Sequence, residues 1–159
     1  GETFAVVSFT ITTADDSLAA KLEPHSPRPS ERFAAMRELA DNGITTGVTL
    51  MPVLPFIEDT EDNIASIVTQ AHESGASYVL AAMGMTQRSG QREYYYRELD
   101  HLFPGVREKY ERTFGTRYEC PARNARNLER LWRSLCKGFD LATSIPAYED
   151  RVGEQLNLF

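Results

Sequence analysis

The sequence predicts an α/β fold: a parallel sheet built from strand–helix units, followed by a helical segment. Three observations predict it. Short runs rich in β-branched and apolar residues alternate with stretches of helical period. Helical stretches of roughly 12 to 14 residues close on glycine, the usual stop signal. The strand runs become almost continuously apolar, as expected when helices cover both faces of a sheet. Alternation of this kind implies parallel strands joined by right-handed crossovers.

The first strand is read at Phe4–Ile11, "FAVVSFTI". A short helix follows in "ADDSLAAKLE", capped by Asp15 or Asp16 and stopped by Pro24. After the proline-rich loop "PHSPRP", Ser30 is the expected cap of a second helix, with Phe33, Met36, Leu39 and Ala40 on one face. Asn42-Gly43 ends it, and "ITTGVTLMPV" is the second strand. Asp59 or Thr60 caps the third helix, whose apolar stripe is Ile64, Ile67, Val68 and Ala71. Gly75 closes that helix, and Ala76–Met83 is the third strand. Beyond Met83 the pattern changes to three successive helices, in "GQREYYYRELDHLFPG", "VREKYERTFG" and "ARNARNLERLWRSLCKG". Three segments are therefore expected: a strand–helix portion over 1–86, a helical extension over 87–145 and a tail over 146–159.

Composition bounds the function. The chain has 159 residues, 42% hydrophobic and 25% charged, enough for one domain with a real core. A net charge of −6 argues against binding nucleic acid by overall charge. Arg107, Lys109, Arg112, Arg117, Arg123, Arg126, Arg130, Arg133 and Lys137 nonetheless gather in the last third, as a local basic patch. No apolar run is long enough to span a membrane, and no secretory signal pattern is read. Cys120 and Cys136 are too few and too far apart for a disulfide framework or a compact metal motif. Reduced thiols and a cytoplasmic location are the expectation.

In parallel α/β sheets, ligands sit at the carboxyl ends of the strands. The first strand ends in the hydroxyl row Ser8, Thr10 and Thr12, on the face opposite Phe9 and Ile11. That row either bonds to neighbouring backbone or lines a polar cavity. The second strand ends in "TLMPVLPFIED", where Pro52 and Pro55 rigidify the loop and leave carbonyls free. The third ends in Met83-Gly84-Met85-Thr86, where Gly84 permits close backbone approach. Glu23, His25 and Arg28 occupy the loop after the first short helix, either in contact with a ligand or simply solvated. His72 and His101 lie on helices without ligand spacing, and the Tyr94–Tyr96 run suits packing better than base stacking. Neither a Ser-His-Asp set, nor a phosphate loop, nor a dinucleotide fingerprint is visible.

The stretch "SFTITTADDSLAAKLEPHSPRPSERFAAMRELADNGITTGVTLMPVLPFIED", with "GQREYYYRELDHLFPGVREKYERTFG" downstream, resembles the second half of a radical S-adenosylmethionine enzyme of the spore photoproduct lyase-like group. The shared frame runs "TT-D-L---LEP-SP-P-ER--A---L---GI--G----P-LP---D". The resemblance implies a TIM-like (βα) barrel of about six strand–helix units, of which these would be the fourth to sixth. It implies that Ser8, Thr10 and Thr12 face the ribose and methionyl part of the cofactor. Met51, Pro52 and Pro55 would support its adenine, with Met83 beside the base. Glu23, His25 and Arg28 would lie at the substrate side above the barrel mouth. The implied activity is lyase-type radical chemistry on a nucleic-acid substrate, in DNA repair.

The chain departs from the family in two places. Pro52 stands where a glycine is common, and Pro55-Phe56-Ile57-Glu58-Asp59 replaces a Pro-Gly-Glu-Thr-like turn. The Cys-x3-Cys-x2-Cys loop that holds a four-iron–four-sulfur (4Fe-4S) cluster is missing altogether. The expectation is therefore a carboxyl-terminal half, inactive alone, with catalytic and metal-binding residues on a missing amino-terminal half. S-adenosylmethionine and the cluster would belong to the full-length parent. The cut sheet edge is expected to drive self-association. The tail Gln155–Phe159, "QLNLF", is similar to the pentapeptide by which bacterial DNA-handling proteins dock on the sliding clamp. The alternative to the enzyme fragment is a non-catalytic α/β binding or protein-interaction module.

Overall fold

The computed structural model describes residues 5–147 of the chain. β1 (Val6–Thr10), β2 (Thr45–Leu50) and β3 (Tyr78–Ala81) form a three-stranded sheet in the order β1-β2-β3, with both pairings parallel. Between β1 and β2 run α1 (Asp16–Leu22) and α2 (Pro29–Asp41), and between β2 and β3 runs α3 (Glu61–Glu73). The α/β class and the parallel sheet are as the alternation predicts. The expected partial barrel is here an open sheet of three strands.

One face of this sheet carries the main core. Val48 and Leu50 of β2 and Val79 of β3 pack on Phe33 and Met36 of α2 and on Ile64, Ile67 and Val68 of α3. Each such side chain contributes about 1.5–3 kcal/mol by leaving water. α6 (Ala125–Gly138) joins the same core through Leu128, Trp132 and Cys136. The opposite face differs from the expectation of two covered faces: Ser8 and Thr10 are exposed there. Register sets Ser8 beside Gly47, and Gly47 beside Tyr78. A Cβ on Gly47 would lie 2.3 Å from the Tyr78 ring, so glycine is what lets that ring lie flat across β2. The ring's hydroxyl then meets Ser8 Oγ at 2.5 Å.

The caps follow local chemistry. Asp15 caps α1, its carboxylate accepting from the Ser17 and Leu18 N–H groups. Ser30 does not cap α2. Pro29 takes the first helical position, where its fixed φ suits the helix and no donor is lost, so the cap moves back to Arg28. Ser30 instead donates from its N–H and its hydroxyl to Asp16, tying α2 to α1. Thr60, not Asp59, caps α3 by accepting from the Asn63 N–H at 3.2 Å.

After β3 the chain makes an antiparallel pair that sequence reading did not foresee, β4 (Gly84–Thr86) with β5 (Glu119–Pro121). Between them lie α4 (Gln91–Leu102) and α5 (Val106–Phe114). These helices enclose a second core around the buried Tyr110 ring, which meets Phe56, Tyr95, Tyr96 and Phe114 edge-on. Beyond α6 the chain returns to the sheet. Ala142 bridges Tyr78 in parallel, donating to the Ser77 carbonyl and accepting from the Val79 N–H.

Candidate functional site

A cavity of about 610 Å³ opens at the carboxyl ends of β1 and β2. Thr10 and Thr12 bring hydroxyls to its floor, and the end of α1 supplies Leu22, Glu23 and Pro24. The loop after β2 adds Pro52, Leu54 and Glu58, and α4 closes the far side with Tyr94, Tyr95, Glu98 and Leu99. The Met51–Pro52 peptide at this corner is cis.

Glu58 dominates the electrostatics. It is 1% exposed. Thr12 Oγ1 donates to its Oε1 at 2.6 Å, and the Leu54 N–H donates to its Oε2 at 3.0 Å. Burial pushes its carboxyl up to about 7, against those two hydrogen bonds, which favour the ionised form; Glu23 and Asp59 push it further up. The Asn63 side-chain amide fixes the corner by donating to the Thr12 and Glu58 carbonyls. Glu23 is held by an ion pair with Arg32, which also donates to the Thr10 carbonyl.

Asp59, next along, points away from the cavity. Its buried carboxylate accepts from the Phe56 N–H at 2.8 Å and the Arg123 N–H at 2.7 Å, and it pairs with the Arg123 guanidinium at 3.1 Å. The two acids that end "LPFIED" thus do different work. One faces the cavity, and the other bolts the loop to the start of α6.

A second groove, of about 550 Å³, lies over Met51, Pro52, Ala82, Met83 and Met85, with Cys120 behind it. Pro52 belongs to both hollows. At Gly84 the close approach expected for a ligand is made by β5 instead: a Cβ there would lie 2.7 Å from the Cys120 carbonyl oxygen.

The structure brings together some of the predicted residues and separates others. Thr10, Thr12, Pro52 and Glu23 line the cavity, and Met51, Pro52 and Met83 line the groove. Ser8 lines neither, because its hydroxyl is engaged by Tyr78. Pro55 is buried outside both hollows. His25 is exposed, and Arg28 caps α2 with its Nη1 buried and unpartnered. Of the two helix histidines, His72 stacks on Phe139 at 4.6 Å, and His101 is exposed in the last turn of α4. Sequence reasoning missed Glu58 and Tyr95 as wall residues. The spacing of Thr12 and Glu58, 46 apart in sequence, held no local signal.

Cys120 and Cys136 are free and buried. Burial raises both thiols, Cys136 to about 11. Among the described residues there is no group of three or more His, Cys, Asp or Glu set to hold a metal ion. Two separated, protonated thiols do not fit an iron–sulfur cluster, which needs thiolates gathered at one point. No helix among the described residues is long and apolar enough to cross a membrane. The clamp-like tail Gln155–Phe159 lies outside the described residues.

No family model matches the chain, and no solved structure matches it. The chain is similar to the uncharacterized protein ORF301 of Acidianus two-tailed virus, at 25% identity over 92 residues. That alignment covers 56% of this chain and 30% of the viral protein, so the chain spans under a third of that relative's length.

Proposed function

We propose that this chain is the carboxyl-terminal half of a radical S-adenosylmethionine enzyme related to spore photoproduct lyase, acting on a nucleic-acid substrate. One observation carries the reading. Three parallel strands stand in consecutive order, and their carboxyl ends open on two adjoining hollows that share Pro52. Consecutive parallel order with the core helices on one face is how strand–helix units add into a barrel wall. Ser8 and Thr10 would then lie on the barrel's inner face, with Thr10 and Thr12 toward the ribose and methionyl part of the cofactor. The apolar groove of Met51, Pro52 and Met83 suits the flat base. The larger cavity, with Glu23 at its rim, takes the substrate side. The cluster belongs to the missing amino-terminal half, because the thiols present do not fit it.

The test is to sequence the native coding region upstream of this segment and express the joined polypeptide anaerobically. The expected result is further strand–helix units bearing a Cys-x3-Cys-x2-Cys loop, bound iron, and 5′-deoxyadenosine formed on reduction with S-adenosylmethionine. Upstream sequence without that loop, or a joined protein that binds no iron, defeats the reading. A second reading, a non-catalytic α/β binding module, is favoured by the cavity at the strand ends with the buried Glu58 carboxyl on its wall. It is supported if the isolated chain binds small ligands and the joined protein shows no reductive cleavage.

A further inference from the structure

The large cavity has an electrostatic asymmetry that the radical reading does not use. Its walls carry three carboxylates, Glu23, Glu58 and Glu98, against the single cation Lys21. Arg32 engages Glu23. No lysine or arginine pairs with Glu58 among the described residues. Each Glu58 oxygen accepts one bond from the protein, and a carboxylate oxygen can accept a second. The rest of the wall is apolar or aromatic, including Leu54, Tyr95 and Leu99. A buried, acceptor-only carboxylate on an apolar wall is complementary to one kind of ligand.

We propose that this cavity binds a small organic cation, an apolar or flat body carrying a protonated nitrogen, with that nitrogen donating to the Glu58 carboxylate. The aromatic wall at Tyr94 and Tyr95 adds attraction for the same charge. An anion meets the carboxylate excess, and a neutral body leaves Glu58 without a counter-charge. The cavity shares Thr10 and Thr12 with the place proposed above for the cofactor, and the cation site is centred on Glu58.

Binding of such a cation is tied to a proton. The empty cavity favours the protonated carboxyl up to about pH 7, and the cation requires the ionised form. The groups around it from each packed element are Lys21 and Glu23 at the end of α1, Arg32 on α2, and Tyr94, Tyr95 and Glu98 on α4. Tyr110 of α5 stands behind Tyr95. Asp59 on its own loop is already paired with Arg123. Tyr95 is pushed up to about 12 and Tyr110 further still, so both remain neutral throughout the range of interest.

The experiment is calorimetric titration of the 159-residue chain with benzamidinium, at pH 6, 7 and 8, beside benzyl alcohol and benzoate. Expected is saturable binding of benzamidinium, about tenfold tighter at pH 8 than at pH 6, with proton release at pH 6. Benzoate is expected not to bind. Glu58→Gln should abolish binding. Thr12→Val, which removes a bond to the ionised form, should move the midpoint of the pH profile to higher pH. If Glu58→Gln does not fold, Leu102→Trp narrows the cavity without touching the carboxylate and should weaken binding at least tenfold. No benzamidinium binding, equal binding of benzyl alcohol, a flat pH profile or an indifferent variant overturns the proposal. This test needs no upstream half, so its failure and that of the radical reading are told apart.

Discussion

At the scale of single residues, the adjacent acids Glu58 and Asp59 show how differently one chemistry is used. Glu58 is protonated more readily in the folded chain than in the unfolded one. The folded state therefore holds the extra proton between about pH 4.5 and 7, and stability falls as pH rises through that window. Below it both states are protonated, and above it both are ionised, so the effect is flat outside. Urea unfolding is expected to show a loss of about 3 kcal/mol at most from pH 4.5 to 7.5. Glu58→Gln should flatten that slope. Asp59 does the opposite work, as a fully buried acceptor of two backbone donors and a guanidinium. Asp59→Ala strips Phe56 and Arg123 of their partner, and about 3 kcal/mol should be lost. Arg123→Ala should cost about 1 kcal/mol, because the Arg123 side chain is 52% exposed and the two backbone donors remain. Neither acid was legible as buried from sequence. Burial of this glutamate is set in part by Thr12, which arrives from 46 residues away, and composition holds no trace of that.

Elements with a strong local signal were the legible ones. The runs of β1 and β2 announce themselves by β-branched and apolar composition, and the stripe Ile64, Ile67, Val68 and Ala71 of α3 by period. The β4–β5 pair did not, since three residues per strand are too few to show alternation, and its partners are separated by two helices. The cap of α2 was misread because Ser30 is a better side-chain cap than Arg28, yet Pro29 fixes where the helix starts. Gly47 carries no signal of its own within "ITTGVTLMPV", and only the neighbouring Tyr78 explains it. Gly47→Ala is expected to cost about 1–3 kcal/mol by forcing the ring off β2. In a Tyr78→Leu background the same change should cost much less. A double-mutant cycle in urea reads the coupling, and additive costs sink the explanation.

For the whole molecule, the α/β class and parallel pairing were legible because alternation of strand and helix restricts topology so strongly. The exposure of Ser8 and Thr10 on the second sheet face was not, because hydroxyl-bearing strands read the same on either surface. The sheet's two borders also differ. Among the described residues β1 pairs with β2 alone, whereas the far side of β3 is occupied at Tyr78 by Ala142. Sedimentation of the chain should show concentration-dependent association, suppressed when the proposed upstream half is joined to it. Association that persists in the joined protein assigns it to another surface. The Ala142 bridge also limits how far such association goes. A sheet with two free borders is a tile that repeats without end, and a sheet with one is a tile that stops. Two copies meeting border to border would leave no equally open border for a third, so the expected oligomer is a closed pair and not a fibre.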